Sequence, residues 1–176
     1  MAQPFIAQDT DHQVLEWIGG SHILVLLDAA RSDGQLMVVR TTLHQGDASP
    51  VHVHSREDEV FLLLSGAGLV WVGDERHEVS QGGVAFLPRD IPHGYLITSP
   101  HADMLTLATP GGLEGFFRSA GHDLATPRPD GFAVTPATMA PALAQHGGRI
   151  IGPPHAEDDG VRAGVRIPGA TEGVGR

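Results

Sequence analysis

Three residues in the first half of the chain have the types and spacing that a metal ion needs. His52 and His54 stand two apart in Val51-His52-Val53-His54, and an acidic patch, Glu57-Asp58-Glu59, follows. Alternate residues of a strand point to the same face, so both imidazoles can aim at one point. A carboxylate a few residues on returns to that point if the chain bends in between. Two ring nitrogens and a carboxylate oxygen converging from a rigid sheet are the makings of a divalent-cation site.

The elements that must hold these side chains read as short strands. Stretches 14–18, 22–27, 35–43, 51–54, 59–64, 69–72, 76–79, 84–87, 95–99 and 104–108 are apolar or β-branched and are separated by Gly, Pro, Asp or Ser signals. Asp33-Gly34 is a hairpin signal between the second and third of them. Pro88-Arg89-Asp90-Ile91-Pro92-His93 makes a stiff corner that carries a histidine. Strands this short and evenly spaced predict an all-β sandwich or barrel. After Thr109 the pattern changes. Residues 112–120 (GLEGFFRSA) read as a short amphipathic helix. Thr135 as N-cap and Pro136 at the first helical position open a second helix, which runs through Ala144 to the stop at Gly147-Gly148. Ile150-Ile151 reads as an edge strand. The expected organisation is an N-terminal arm over 1–13, a barrel over 14–110, a helical extension packed on it over 111–155, and a tail over 156–176. No internal repeat or second domain is legible.

Composition closes several routes. Cysteine is absent from the 176 residues, which excludes disulfides, thiolate ligands and cysteine nucleophiles. The 11 basic residues are all arginine, so Schiff-base chemistry on lysine is excluded. There is no asparagine, hence no N-glycosylation acceptor. A net charge of −10 leaves no basic footprint for nucleic acid. No apolar run approaches the roughly 20 residues of a membrane-spanning helix. The start MAQPFIAQDTD lacks the basic and apolar regions of a signal peptide. A cytoplasmic protein without membrane or nucleic-acid partners is expected.

Two stretches resemble the paired motifs of the cupin superfamily. The first motif, G(X)5HXH(X)3-4E(X)6G, is matched by Gly46, His52, His54, Glu59 and Gly66. The second, G(X)5PXG(X)2H(X)3N, is matched by Gly82, Pro88 and His93, with Asp90 in place of its glycine and Ile97 in place of its asparagine. The resemblance implies a cupin (jelly-roll) β-barrel of two antiparallel sheets, with short helices after it and a metal inside one open end. It implies the ligand set His52, His54, Glu59 and His93. Glu57 has the same strand parity as Glu59, but the spacing to Gly66 favours Glu59; Glu57 is then expected as a solvated rim charge or an acceptor for a ligand imidazole. A narrower likeness, carried by HVHSREDEVFLLLSG, LPRDIPHGY and TPGGLEGFF, is to single-domain bacterial cupins labelled quercetin 2,3-dioxygenase-like.

Three imidazoles and a carboxylate without sulfur suit one divalent ion, Fe, Ni, Mn, Co or Zn. Inward residues of several strands should wall the pocket; Phe61, Tyr95, Phe86 and Ile97 are the candidates for substrate contact, with Leu63, Val70 and Leu105 beside them. Trp17 and Trp71 read as sheet-packing residues, His77, His101, His122 and His146 as surface residues, and Arg89 as one half of a rim salt bridge. The likeness implies a dioxygenase that consumes dioxygen and a small enol or catechol-type substrate such as a flavonol or polyketide, with Glu59 as general base. Oxygen-independent isomerase, cyclase or decarboxylase chemistry on the same ligands is the alternative, and a non-catalytic ligand-binding module is the third reading. A homodimer is expected, with the arm and tail available for exchange.

Overall fold

The strands of the computed structural model, which describes residues 3–158, form two antiparallel sheets. The larger has seven strands in the order β11 (His122–Asp123), β1 (Gln13–Glu16), β2 (His22–Leu27), β3 (Met37–His44), β10 (His101–Thr109), β5 (Asp58–Ser65) and β8 (Val84–Leu87). The smaller has five, in the order β12 (Gly148–Gly152), β4 (Val51–His54), β9 (His93–Ile97), β6 (Ala67–Val72) and β7 (Glu75–Ser80). The helices are α1 (Ala29–Ser32), α2 (Glu114–Ala120) and α3 (Pro136–Gln145). This is a jelly-roll barrel with short C-terminal helices. Of the expected arm residues 3–13 are described; of the expected tail, residues 159–176 lie outside the described residues. Among the described residues no helix is long and apolar enough to cross a membrane.

Strand alternation builds two cores. Between the sheets, Leu43, Phe61, Leu63 and Met104 of the large sheet meet Val70 and Ile97 of the small one, with Leu87 fully buried among them. Farther along the large sheet, Leu15, Ile23, Met37 and Val39 are covered by Leu113, by Phe116 of α2 and by Met139 and Leu143 of α3. There the helices take the place of the second sheet. α3 is held at its start by Thr135, whose hydroxyl accepts from Thr138 N at 3.3 Å, with Pro136 as first helical residue. The chain then turns through Gly147 (φ 79°) into β12, which lies at the sheet edge beside β4 and pairs Gly148 with His54 and Ile150 with His52.

Two local features differ from, or explain, the sequence pattern. The connection before Asp33-Gly34 contains a single helical turn, α1, because Asp28 caps it by accepting from Arg31 N at 3.1 Å; Asp33 (φ 55°) and Gly34 (φ 77°) then lead the chain into β3. Gly66 has φ 86°, and a Cβ there would run into the His101 carbonyl and Ser99 Oγ, so this motif position takes glycine on two counts.

Candidate metal centre

β4 sets His52 and His54 on one face, and β9 begins at His93, whose Cα is the register partner of His52. The three imidazoles thus come from the small sheet. Glu59 crosses from the large sheet, at the second residue of β5. The Pro88–Pro92 corner ties the ligand strands together: Asp90 N donates to the His54 carbonyl at 2.7 Å. Asp90 stands where the motif has glycine, and it adopts the left-handed conformation that position requires, φ 65°. Aspartate tolerates that region better than most side chains, which is why the departure leaves the corner intact.

Each ligand offers one atom such that all four atoms lie within 4.8 Å of one another. His93 Nε2 is 3.1 Å from Glu59 Oε2, and His54 Nε2 is 3.5 Å from the same oxygen. Metal–nitrogen and metal–oxygen bonds of about 2.0–2.2 Å put adjacent ligands of one ion about 3 Å apart, so these separations suit a shared cation. The tautomers suit it too. His52 Nδ1 lies 2.8 Å from the Pro50 carbonyl and His93 Nδ1 lies 2.9 Å from the Ile91 carbonyl. A carbonyl only accepts, so each Nδ1 donates outward and each Nε2 is left facing the centre, where that of His93 meets Glu59 Oε2. Both nitrogens of His54 are buried without a hydrogen-bond partner, a costly state for a polar group that an ion at Nε2 would relieve.

Electrostatics point the same way. Burial, together with the charges of His93 and His54, pushes His52 down to about 3, so its imidazole is neutral and ready to ligate. Burial opposes charge on His54, but the Glu59 carboxylate outweighs it and the net direction is upward. Burial would raise Glu59, yet the two imidazoles against its oxygens hold it well below the usual carboxylate range. Glu59 is therefore an anion in a nearly closed pocket.

Glu57 is not the solvated rim charge that its position suggested. It is 1 % exposed, and neither carboxylate oxygen has a hydrogen-bond partner; the nearest cation is Arg56, whose Nη1 is 3.7 Å from Oε1. Burial raises its pKa.

A cavity of about 60 Å³ is lined by three of the four ligands, His52, His54 and Glu59. Phe61 and Tyr95 wall it, edge to face with centroids 5.6 Å apart. The other expected contacts are elsewhere. Ile97 is 2 % exposed inside the inter-sheet core and does not line the cavity. Phe86 is 58 % exposed on the outer face of β8, because Ala85 and Leu87 hold the inward positions of that strand. Leu105 likewise alternates with the buried Met104 and Thr106 and faces outward. The rest of the wall comes from residues that strand reasoning did not assign to the site: Met104 and Thr106 of β10, and an aromatic group in which Trp17 packs edge-on against Phe116 (5.4 Å) and Phe117 (5.3 Å). The pair Phe116-Phe117 in GLEGFF was the available signal. His122, expected at the surface, is buried against Phe132, with ring centroids 5.3 Å apart. Arg89 forms its rim pair with Asp58 at 2.8 Å.

Comparison with known proteins agrees with this architecture. The family model described as "Cupin domain" matches residues 39–109. Quercetin 2,3-dioxygenase of Bacillus subtilis (strain 168) is 30% identical over 90 residues; the match covers 51% of this chain and 27% of that enzyme, so the chain spans little more than a quarter of its relative. Among solved structures, KdgF from Halomonas sp. aligns with a TM-score of 0.58 at 20% identity, over 64% of this chain and 98% of that one. A predicted oxalate decarboxylase from Thermotoga maritima aligns with a TM-score of 0.54 at 17% identity, over 60% and 99%. The last two likenesses establish shared fold. Both motifs, the barrel, the cupin-domain match over residues 39–109 and a His-His-Glu-His group that could hold a metal together support a cupin superfamily protein.

Proposed function

We propose that this cupin is a metal-dependent dioxygenase acting on the enol or catechol end of a small organic substrate. The observation that carries the reading is the convergence of His52, His54, Glu59 and His93 on one point beside an apolar cavity. A divalent ion bound there would act as a Lewis acid toward a substrate oxygen. The protein supplies the rest. Glu59 Oε2 is an anion placed to take the proton of a substrate hydroxyl, which makes the substrate electron-rich. Phe61 and Tyr95 on one side and Trp17 with Phe116 on the other exclude water and hold a flat substrate between aromatic walls. Dioxygen then adds to the anion, both of its atoms enter the products, and a carbon–carbon bond breaks. The likeness to the Bacillus subtilis enzyme supports the oxygen step.

Cavity size narrows the substrate. A space of about 60 Å³ accommodates a handful of heavy atoms, since one water needs roughly 10–15 Å³ by the same measure. A reactive enediol or catechol edge fits. The remainder of a flavonol or polyketide would lie outside, against Phe117.

Oxygen uptake by protein loaded in turn with Fe(II), Ni(II), Mn(II), Co(II) and Zn(II) tests the proposal. Uptake is expected with simple enediols, catechols or flavonols, falling at least about a hundredfold in Glu59→Gln. No uptake with any metal or substrate overturns it. Product formation under strict anaerobiosis would instead assign the same ligands to isomerase, cyclase or decarboxylase chemistry, and binding without turnover would make the protein a ligand carrier.

A further inference from the structure

A polar diagonal crosses the inward face of the large sheet. On β5, Glu59 stands opposite Ala108 of β10. Two residues back along β10 is Thr106, between Phe61 of β5 and Val39 of β3. Two residues beyond Val39 on β3 is Thr41, between Met104 of β10 and Ile23 of β2. Glu59, Thr106 and Thr41 are therefore successive diagonal neighbours across three strands, at about 7 Å per step. The residues that pair with them in register are all apolar. The diagonal starts at a metal ligand and leads away from it along the cavity wall.

Both threonines line the cavity. Thr41 is 5 % exposed and Thr106 is 4 % exposed. Neither hydroxyl has a hydrogen-bond partner among the described residues. A hydroxyl taken out of water without a partner is unfavourable. Strand formation accounts for the branched side chain but not for its oxygen, since valine has the same shape and favours strands as well. The adjacent Thr42 points outward, and its hydroxyl donates to Asp103 at 3.4 Å. The two inward hydroxyls share only the cavity, so their partner is whatever fills it.

We propose that Thr106 and Thr41 orient the substrate by hydrogen-bonding oxygens it carries beyond its reacting edge. This role rests on the proposed binding of an enol or catechol edge at the centre, and it adds what the remainder of that substrate contains. With the reacting hydroxyl at Glu59, Thr106 meets an oxygen across the ring and Thr41 meets the next one along the diagonal. A threonine hydroxyl donates to a carbonyl and accepts from a hydroxyl, so either group serves. Phe61, paired with Thr106, lies alongside as part of the aromatic wall. The substrate class is a small ring oxygenated at its reacting edge and again about 7 Å away, in preference to a catechol whose remainder is plain hydrocarbon. An analogue lacking the second oxygen leaves a buried hydroxyl unpaired, which is how a site of this kind discriminates.

Two hydroxypyranones test this without turnover. Kojic acid and allomaltol share one chelating edge, and allomaltol has a methyl where kojic acid has a hydroxymethyl group across the ring. Calorimetry and the visible bands of the Co(II)-loaded full chain give an affinity ratio in which chelation nearly cancels. The wild type is expected to favour kojic acid at least about tenfold. Thr106→Val and Thr41→Val should each lower the ratio, and the double variant should bring it to about one, with allomaltol affinity, bound cobalt and far-UV circular dichroism unchanged. Thr106→Ser keeps the hydroxyl and should keep the preference. A wild-type ratio near one overturns the proposal, since the wall then holds only water. A double variant that retains the preference overturns it too, and so does binding of neither pyranone. Oxygen uptake is scored separately. A preference for kojic acid without uptake on any substrate removes the dioxygenase reading and leaves the two threonines in their role; uptake with a ratio near one does the reverse.

Discussion

The barrel interior is built in two ways along the same strands. On β5 the inward positions run Glu59, Phe61, Leu63, and on β9 they run His93, Tyr95, Ile97. Each strand begins in the cluster of ligands, passes an aromatic residue on the cavity wall, and ends in the apolar core within four residues. At one end, close-packed side chains gain stability from burial. At the other, two imidazoles and two carboxylates are buried beside the half-buried His52, and four of their polar atoms have no hydrogen-bond partner: both nitrogens of His54 and both oxygens of Glu57. The gradient teaches that the site is held by its neighbours' packing and contributes little to it. The aromatic pair Phe61 and Tyr95 is the boundary.

The largest effect should come from cutting the polar end. His93→Ala is expected to reduce metal affinity at least a hundredfold, more than the roughly 10–100-fold typical of losing a residue that merely supports a ligand. Measured in chelator, it should still melt cooperatively, at a temperature lowered only by the partner that Glu59 and the Ile91 carbonyl each lose, since the apolar core is untouched. Elemental analysis and a thermal melt check the two halves; a variant that loses metal only because it has unfolded would dissolve the contrast. Ile97→Ala on the same strand should do the reverse. It removes a fully buried side chain and leaves a cavity, for a loss of about 2–5 kcal/mol in denaturant unfolding, while the folded fraction keeps its full complement of metal.

Glu57 sharpens the comparison from inside the polar end. Burial raises its pKa, so the folded state binds this proton more tightly than the unfolded chain does. Any stability this brings is fully present below the unfolded value, near 4.5, and is lost as pH rises through the folded value. Glu57→Gln should therefore stabilise the metal-free protein at neutral pH, by roughly 1–3 kcal/mol for one unsatisfied buried charge, and change little at pH 4. Unfolding curves at the two pH values check it. A loss of stability at neutral pH would mean that the carboxylate has a working partner.

Much of the polar end was legible in the sequence because its determinants are local. The two-residue repeat of His52 and His54 fixes a shared face wherever β4 lies, and the resembled motif's spacing to Gly66 favoured Glu59 over Glu57, which has the same strand parity. β4 spans Val51–His54 and β8 spans Val84–Leu87, as read. The edge strand at Ile150-Ile151 is part of β12, and the Thr135-Pro136 start of α3 carried its own cap. What was not legible depends on contacts between distant segments. Phe86 was assigned to the cavity and Leu105 considered for it, because an apolar strand with apolar residues at both parities does not say which face is inward. The apolar outward residues of β5, β8 and β10 are the source of that ambiguity. Trp17 and Phe116 meet across about a hundred residues of chain, so no local pattern could place them over the ligands. Glu57 looked like surface because acids usually are; its burial follows from the path of the chain between β4 and β5.

The smallest expected effect lies one residue from the ligand Glu59, on the opposite face of the same strand. Asp58 points outward, and the Arg89 guanidinium and backbone N–H hold its carboxyl down to about 2. With a depressed folded value, its contribution is present above the unfolded value of 3.8 and is lost as pH falls toward 2. The pair is solvent-exposed, where ion pairs contribute little and salt screens them. Asp58→Asn should therefore leave stability near neutral pH almost unchanged and flatten the acid limb of the profile between about pH 4 and pH 2, and added salt should shrink the difference between variant and wild type. Metal affinity should not move. If it does, the two faces of β5 are coupled through its backbone, and the separation between a site that binds and a scaffold that holds is less complete than the alternation of Asp58 and Glu59 implies.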